Sequence, residues 1–273
     1  LHIWLKEGMH GEMHYMQNHF EKRLDPRLLV EGARSVITVL LNYFPEKELS
    51  GRLRISKYAY GKDYHLIVKD KLNKLKSLVE EKTGNLNARA FTDSAPMMDK
   101  AWAREAGLGW IGKNTCLINK DSGSFFFIGH LVTSLDLEYN NPFEKDHCGT
   151  CDRCIEACPT GAITEAYKLD ARKCISYLTI EYKGELTGTE AKKLDQWIFG
   201  CDICQDVCPW NRKATPHNVD AFIPTWRLQE LQQDDWDHLT EVQFKELFEH
   251  SAVSRVKYRG LMRNVRAVAN QHE

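Results

Sequence analysis

The sequence predicts an α+β protein in which a mixed helix-and-strand part runs into a cysteine-rich part. Two observations carry this. Residues 1 to about 145 hold one cysteine, Cys116, and alternate strand-like with helix-like patterns. The other eight of the nine cysteines crowd between Cys148 and Cys208. The composition fits a globular fold: 273 residues, 42% hydrophobic and 27% charged, enough for one large domain or two ordinary ones. A net charge of −1 gives no global pull toward nucleic acid and leaves a local basic patch open. No apolar run is long enough to cross a bilayer, and no signal peptide is visible. Leu1-His2-Ile3-Trp4-Leu5 reads as mid-element, so the native N-terminus is expected upstream.

The elements follow in order. Ser35 to Leu41 is a β-branched, apolar run and predicts a buried strand. From Asp63 to Lys82, Tyr64, Val68, Leu72, Leu75 and Val79 recur at helical spacing between lysines, which predicts an amphipathic helix. Asn87 to Thr92 is strand-like and ends at Asp93-Ser94-Ala95-Pro96, where Pro96 turns Ala95 away from helix. Met97 to Ala106 reads as a helix closed by Gly107. Gly107, Gly109 and Gly112, then Lys113 and Asn114, predict a loop whose backbone can approach a ligand, or a plain turn. Phe125 to Leu135 predicts a further buried strand. The end of the chain turns basic at Arg255, Lys257, Arg259, Arg263 and Arg266, with an amphipathic helix from Arg259 to Asn270.

The cysteine spacing carries chemistry. Cys148, Cys151, Cys154 and Cys158-Pro159 form CxxCxxCxxxCP, the run of bacterial ferredoxins. Cys174, Cys201, Cys204 and Cys208-Pro209 repeat it with the first gap stretched by residues 175–200. Disulfides do not suit clustered cysteines in a chain without secretory features. Zinc suits CxxC pairs but not this phase. Two 4Fe-4S clusters are therefore expected. If the ferredoxin cross-over rule holds, one takes Cys148, Cys151, Cys154 and Cys208, the other Cys158, Cys174, Cys201 and Cys204. Cys116 reads as a buried small hydrophobe. No GxGxxG opens a βαβ unit, so a dinucleotide site is not supported.

Tyr58-Ala59-Tyr60-Gly61-Lys62-Asp63-Tyr64-His65, Thr92-Asp93-Ser94-Ala95-Pro96, Ala106 to Asn114 and Cys174-Ile175-Ser176-Tyr177-Leu178-Thr179, together with the two cysteine runs, carry a resemblance over nearly the whole chain. The chain resembles the epoxyqueuosine reductases. The resemblance implies a cobalamin-dependent enzyme with two 4Fe-4S clusters that reduces the epoxide of epoxyqueuosine at the tRNA wobble position. It implies a nitroreductase-like cobalamin-binding domain over 1–139, a ferredoxin-like domain over 140–213, and a helical segment over 214–273 leading toward HEAT-like repeats that this chain largely lacks. A cytoplasmic monomer fed by an external low-potential electron donor is expected. The competing readings are a reductive dehalogenase-like enzyme acting on a small molecule and a ferredoxin-type electron carrier.

Asp93 matches the family's general acid, a role that would need burial to raise its pKa; its alternative reading is a helix N-cap. Arg23, Ser56, Lys57 and Ser176 match positions of cobalamin contact, and surface charge is the alternative for Arg23 and Lys57. Gly109, Gly112, Lys113 and Asn114 could hold cofactor side chains or substrate. His65 is a cobalt ligand by residue type, but the resemblance argues for a lower face without histidine. Lys183, Arg255, Lys257, Arg259 and Arg263 are candidates for tRNA phosphates, or a positively charged helix surface.

Overall fold

A computed structural model describes residues 1–186 and 188–269. Its main sheet has three antiparallel strands: β1 (Ser35–Asn42), β2 (Ala88–Phe91) and, between them, β3 (Phe126–Thr133). β3 is the most buried of the three, because both faces are covered. On one face lies α1 (Tyr64–Thr83), capped by the Asp63 carboxylate on the His65 amide. Its Val68 and Leu72 press on Gly129 of β3. A Cβ there would stand 2.8 Å from Val68 and 3.0 Å from Leu72, so the bare backbone sets the closeness of helix and sheet. On the other face α2 (Asp99–Glu105) joins Met97, Val132 and Phe91 through Trp102.

The expected strands and the two expected helices of this part form within a few residues of their predicted ends. The C-terminal helix runs Lys257–Ala269, and Asn270 lies outside the described residues. The glycine loop is built around a short hairpin, Trp110–Ile111 with Leu117–Ile118. Gly109 (φ 157°) is required there, since a Cβ would fall 2.1 Å from the Ile118 carbonyl oxygen.

The cysteine-rich part does not stand apart. Strand Arg54–Ile55 pairs in parallel with Trp197–Phe199, inside the insertion of the second cysteine run. One core cluster draws Leu53, Ile55 and Tyr60 together with Ile175, Leu178, Ile198, Phe199, Phe248, Leu261 and Val265. Asn264, fully buried, donates to the Thr179 and Ile198 carbonyls at 2.8 Å each and ties the C-terminal helix to both segments. Replacing it by alanine orphans both carbonyls in the core. Asn264→Ala is expected to lower stability by about 2 kcal/mol, read from chemical denaturation of the anaerobic full chain.

Candidate functional site

The structure sorts the cysteines into two groups. Cys154 feels the charge of Cys148, Cys208 and Cys151, and Cys208 that of Cys148 and Cys151. Cys174 feels Cys158, Cys201 feels Cys174 and Cys158, and Cys204 feels Cys201 and Cys174. Each run makes one short helix, Arg153–Glu156 or Ile203–Asp206. None of the nine cysteines is paired in a disulfide. Among the described residues no three His, Cys, Asp or Glu side chains gather around a single ion; the four thiolates of a cuboidal cluster stand farther apart than those of one zinc.

The two groups differ in depth. Cys174 and Cys201 pack against the main core, and burial pushes both thiols above their ordinary range. Cys148 and Cys208 belong to a smaller aromatic cluster with Trp110, Phe143 and Trp210. The Trp110 ring packs edge-on against His147 and Trp210. Its indole N–H is buried and finds no oxygen or nitrogen partner. It lies near the Cys148 sulfur, whose thiol burial raises and the neighbouring indole lowers. A donor aimed at a ligand sulfur is what an electron-rich cluster needs, so these residues fit the group. Trp110→Phe removes that donor; the outer cluster is then expected to become harder to reduce, measured by potentiometric titration followed by electron paramagnetic resonance.

Cys116, expected as a buried hydrophobe, is half-buried and lies beside Cys204.

Around Asp93 several elements converge. Asp93 sits in left-handed backbone (φ 48°) just past β2, with its side chain 64% exposed. It is no helix cap: α2 starts at Asp99 with Met98 before it. The Tyr64 hydroxyl donates to its carboxylate, and His65 Nε2 stands 3.5 Å away. His65 Nδ1 lies 2.7 Å from Asp63. Arg255, 2.8 Å from Glu181 and over the Tyr15 ring, adds positive charge. The expectation of a raised pKa at Asp93 is corrected here. Burial does push it up, but hydrogen bonds from His65 and Tyr64, then the charges of His65 and Arg255, hold the carboxyl below its usual range. His65 goes the other way: burial opposes its charge, yet hydrogen bonds to Asp63 and Asp93 raise it to about 9. Sequence reading passed over Tyr64 and Asp63 as site residues, although both stand in the quoted YAYGKDYH stretch.

Helix Ile175–Ile180 joins the deep cysteine group to this recess. Cys174 is its N-cap, half-buried Ser176 lies in its first turn, and Glu181 after its last turn meets Arg255. Seven residues of helix put Cys174 about 10 Å from Glu181.

The other expected cofactor residues are engaged inside the protein. Arg23 donates to the Tyr15 and Asn18 carbonyls and so holds the loop carrying Tyr15. Ser56 donates to Asp202 at 2.5 Å. Lys57, only 3% exposed at its side chain, pairs with Asp206 at 2.7 Å and Glu48 at 3.1 Å. Lys113 pairs with Asp152 at 2.7 Å, and Asn114 donates to the Cys204 carbonyl. Gly112 gives Ile118 room, since a Cβ would meet its Cδ1 at 2.4 Å. Four of these side chains clasp the first half of the chain to the cysteine loops. Both ring nitrogens of His65 face carboxylates, so it is not placed as a cobalt ligand.

Lys183, whose ammonium donates to the Ile180 carbonyl at 3.1 Å, meets Lys257 and Arg259 from the distant C-terminal helix, with Arg266 and Glu185, in one groove of about 650 Å³. Arg263 lines it too, but its guanidinium is spent on the Leu178, Tyr182 and Gly184 carbonyls at 2.7–2.8 Å. It caps the end of helix Ile175–Ile180 rather than offering a free fork. Arg255 lies outside the groove, paired with Glu181.

Fold and cysteine geometry define an iron–sulfur oxidoreductase with two 4Fe-4S clusters. Residues 147–211 match the family model described as a 4Fe-4S double cluster binding domain, and residues 23–94 match that described as epoxyqueuosine reductase QueG, DUF1730. An epoxyqueuosine reductase of Cellulophaga algicola is 54% identical over 266 residues, 97% of this chain and 87% of the relative. One from Cyclobacterium marinum is 50% identical over 274 residues, 99% and 87% of the two chains. The solved epoxyqueuosine reductase of Streptococcus thermophilus superposes with a TM-score of 0.87 at 31% identity, covering 99% of this chain and 73% of that one. Another solved epoxyqueuosine reductase, in complex with an epoxyqueuosine-modified tRNA-Tyr stem loop, gives a TM-score of 0.88 at 27% identity with the same coverage. The chain belongs to the epoxyqueuosine reductase family. The matched double cluster binding domain carries all eight cysteines of the two runs.

Proposed function

We propose that this chain reduces the epoxide of epoxyqueuosine in tRNA to the alkene of queuosine, with Asp93 delivering the proton. The observation that carries the reading is Asp93 itself: an exposed carboxylate in left-handed backbone, bonded by Tyr64 and faced by His65. The reaction takes two electrons and two protons, breaks the C–O bonds and releases water. Cobalamin supplies the reducing centre when bound.

The chain's own residues do the rest. Asp93, Ser176, Tyr15 and Arg255 would line the seat of the corrin, and His65, held between two carboxylates, would not be offered to the cobalt. Asp93 holds a proton toward the epoxide oxygen as the C–O bond breaks. Arg23 keeps the Tyr15 loop in place. A low-potential donor outside the chain passes electrons to the Cys148, Cys151, Cys154 and Cys208 cluster. Cys158, Cys174, Cys201 and Cys204 would hold the deeper cluster, which would supply one-electron transfer to the reducing centre. Residues 1–139 serve as a nitroreductase-like cobalamin domain, 140–213 as a ferredoxin-like domain, and 214–273 as a helical segment. No helix among the described residues is long and apolar enough to cross a membrane. The enzyme is taken to act in the cytoplasm as a monomer.

Asp93→Asn, with clusters and cobalamin fully loaded, is expected to lose at least about 100-fold in single-turnover rate on an epoxyqueuosine stem loop. Full turnover in that variant would overturn the assignment. Lys183, Lys257 and Arg259 meet phosphates of the stem loop in this reading, with Arg266 beside them. The double variant Lys257→Ala, Arg259→Ala is expected to bind the stem loop more weakly and to flatten the dependence of log Kd on log salt by roughly 1.4 to 1.8. An unchanged slope in a binding titration would remove these residues from the contact.

A further inference from the structure

We propose that His65 stores the proton that Asp93 delivers, and that Asp63 holds it there. The proposal rests on the reading of Asp93 as the acid and goes beyond it, because it says where the proton waits. The geometry is a chain of three side chains. Asp63 Oδ1 lies 2.7 Å from His65 Nδ1, and His65 Nε2 lies 3.5 Å from Asp93 Oδ2. Asp63 is fixed twice over. It caps α1 through the His65 amide, and its own amide donates to the His250 carbonyl at 2.6 Å. The ring is fixed by stacking on Tyr64, with centroids 4.1 Å apart, and Tyr64 in turn stacks on Phe127 of β3 at 4.2 Å. His65 therefore has little freedom to turn toward anything but the two carboxylates.

The charge balance shows why a store is needed. A carboxyl held below its ordinary range carries no proton at neutral pH, so Asp93 alone cannot act as an acid in the open recess. Tyr64 does not replace it, since burial and Asp93 both raise the phenol and bind its proton more tightly. The imidazole between two carboxylates keeps its proton up to about pH 9. The groups facing the pair are Asp63 and Tyr64 from the same helix end, Arg255 from the segment before the C-terminal helix, and Tyr15 and Tyr58, which feel the Asp93 charge. When a ligand covers Asp93, its carboxylate loses water and its pKa rises. The Nε2–H bond of the imidazolium then breaks and an O–H bond forms on Asp93, leaving a neutral ring and a neutral carboxyl. No electron moves in this step. Asp93 passes that proton to the epoxide oxygen, and the ring refills from solvent through its partly exposed edge. His65 acts through Asp93 and is a positioning residue in that sense.

The sign of the pH dependence follows. The stored proton is present below about pH 9 and is lost as pH rises through that value. Asparagine caps a helix as well as aspartate does, so Asp63→Asn removes the charge and keeps the cap. The test measures single-turnover rate against pH for loaded wild type, His65→Gln and Asp63→Asn, with cluster and cobalamin content checked by absorbance. It also follows the His65 ring by NMR of ¹⁵N-histidine-labelled full chain with oxidised clusters. The wild-type rate is expected to hold to about pH 9 and then fall. Asp63→Asn should move that fall acidward by about one unit, with the ring resonance moving alike. His65→Gln should lose roughly 100-fold. A wild-type profile in His65→Gln, or a wild-type ring that titrates as an ordinary histidine, overturns the proposal. Asp93→Asn separates the two claims. If it is inactive while His65→Gln is unchanged, the store alone fails; if it is active, the acid assignment fails with it.

Discussion

Asp202 is the group on which the two halves of the molecule close. Its side chain is 1% exposed and lies between Cys201 and Cys204 in the chain. Its carboxylate accepts the Ser56 hydroxyl at 2.5 Å and the Lys57 amide at 2.8 Å, with Lys57 Nζ 3.8 Å away. Burial raises its pKa to about 6, against the pull of Lys57 and these hydrogen bonds. A buried carboxylate without such donors would cost several kcal/mol, so the loop carrying the deep cysteines is stable only where residues 54–57 meet it. The strand pairing of Arg54–Ile55 with Trp197–Phe199 brings them there. The seat of the inner cluster is thus set by a segment more than a hundred residues upstream of it.

The same constraint explains the fate of the expected cofactor contacts. Buried or loop-borne polar residues such as Lys57, Lys113 and Asn114 look like ligand contacts in a sequence, because a buried polar group must have a partner. Here the partners are Asp206, Asp152 and the Cys204 carbonyl. These side chains hold the cysteine loops against the catalytic part. Arg263 follows the same rule. Its three carbonyl partners complete the helix that links Cys174 to Glu181, so a residue expected at the nucleic acid secures the path between cluster and recess.

Much of the local structure was legible. The run Ser35 to Leu41 becomes a strand because alternating faces of β-branched residues fit a covered sheet. The lysine-laced pattern from Asp63 to Lys82 becomes a helix because its apolar positions recur each turn. The strand Arg54–Ile55 was not legible: two residues carry no periodicity, and its partner lies across the chain. Tyr64 and His65 stand inside a quoted motif, yet their roles depend on Asp93, 29 residues from Tyr64. The pKa direction expected at Asp93 also came out reversed, because the sequence suggested burial where the side chain is exposed and could not show the donors facing it.

By itself the sequence determined the cofactor chemistry of the cysteine runs, since cluster ligation depends on gaps of two and three residues that a linear chain displays directly. It also determined the strands and helices whose burial repeats along the chain. Only the tertiary structure decided which cluster lies deep, which basic residues are free, and where the protons rest around Asp93. Those properties arise from contacts between side chains far apart in sequence, and the free energy of a buried charge depends on which of them arrive beside it.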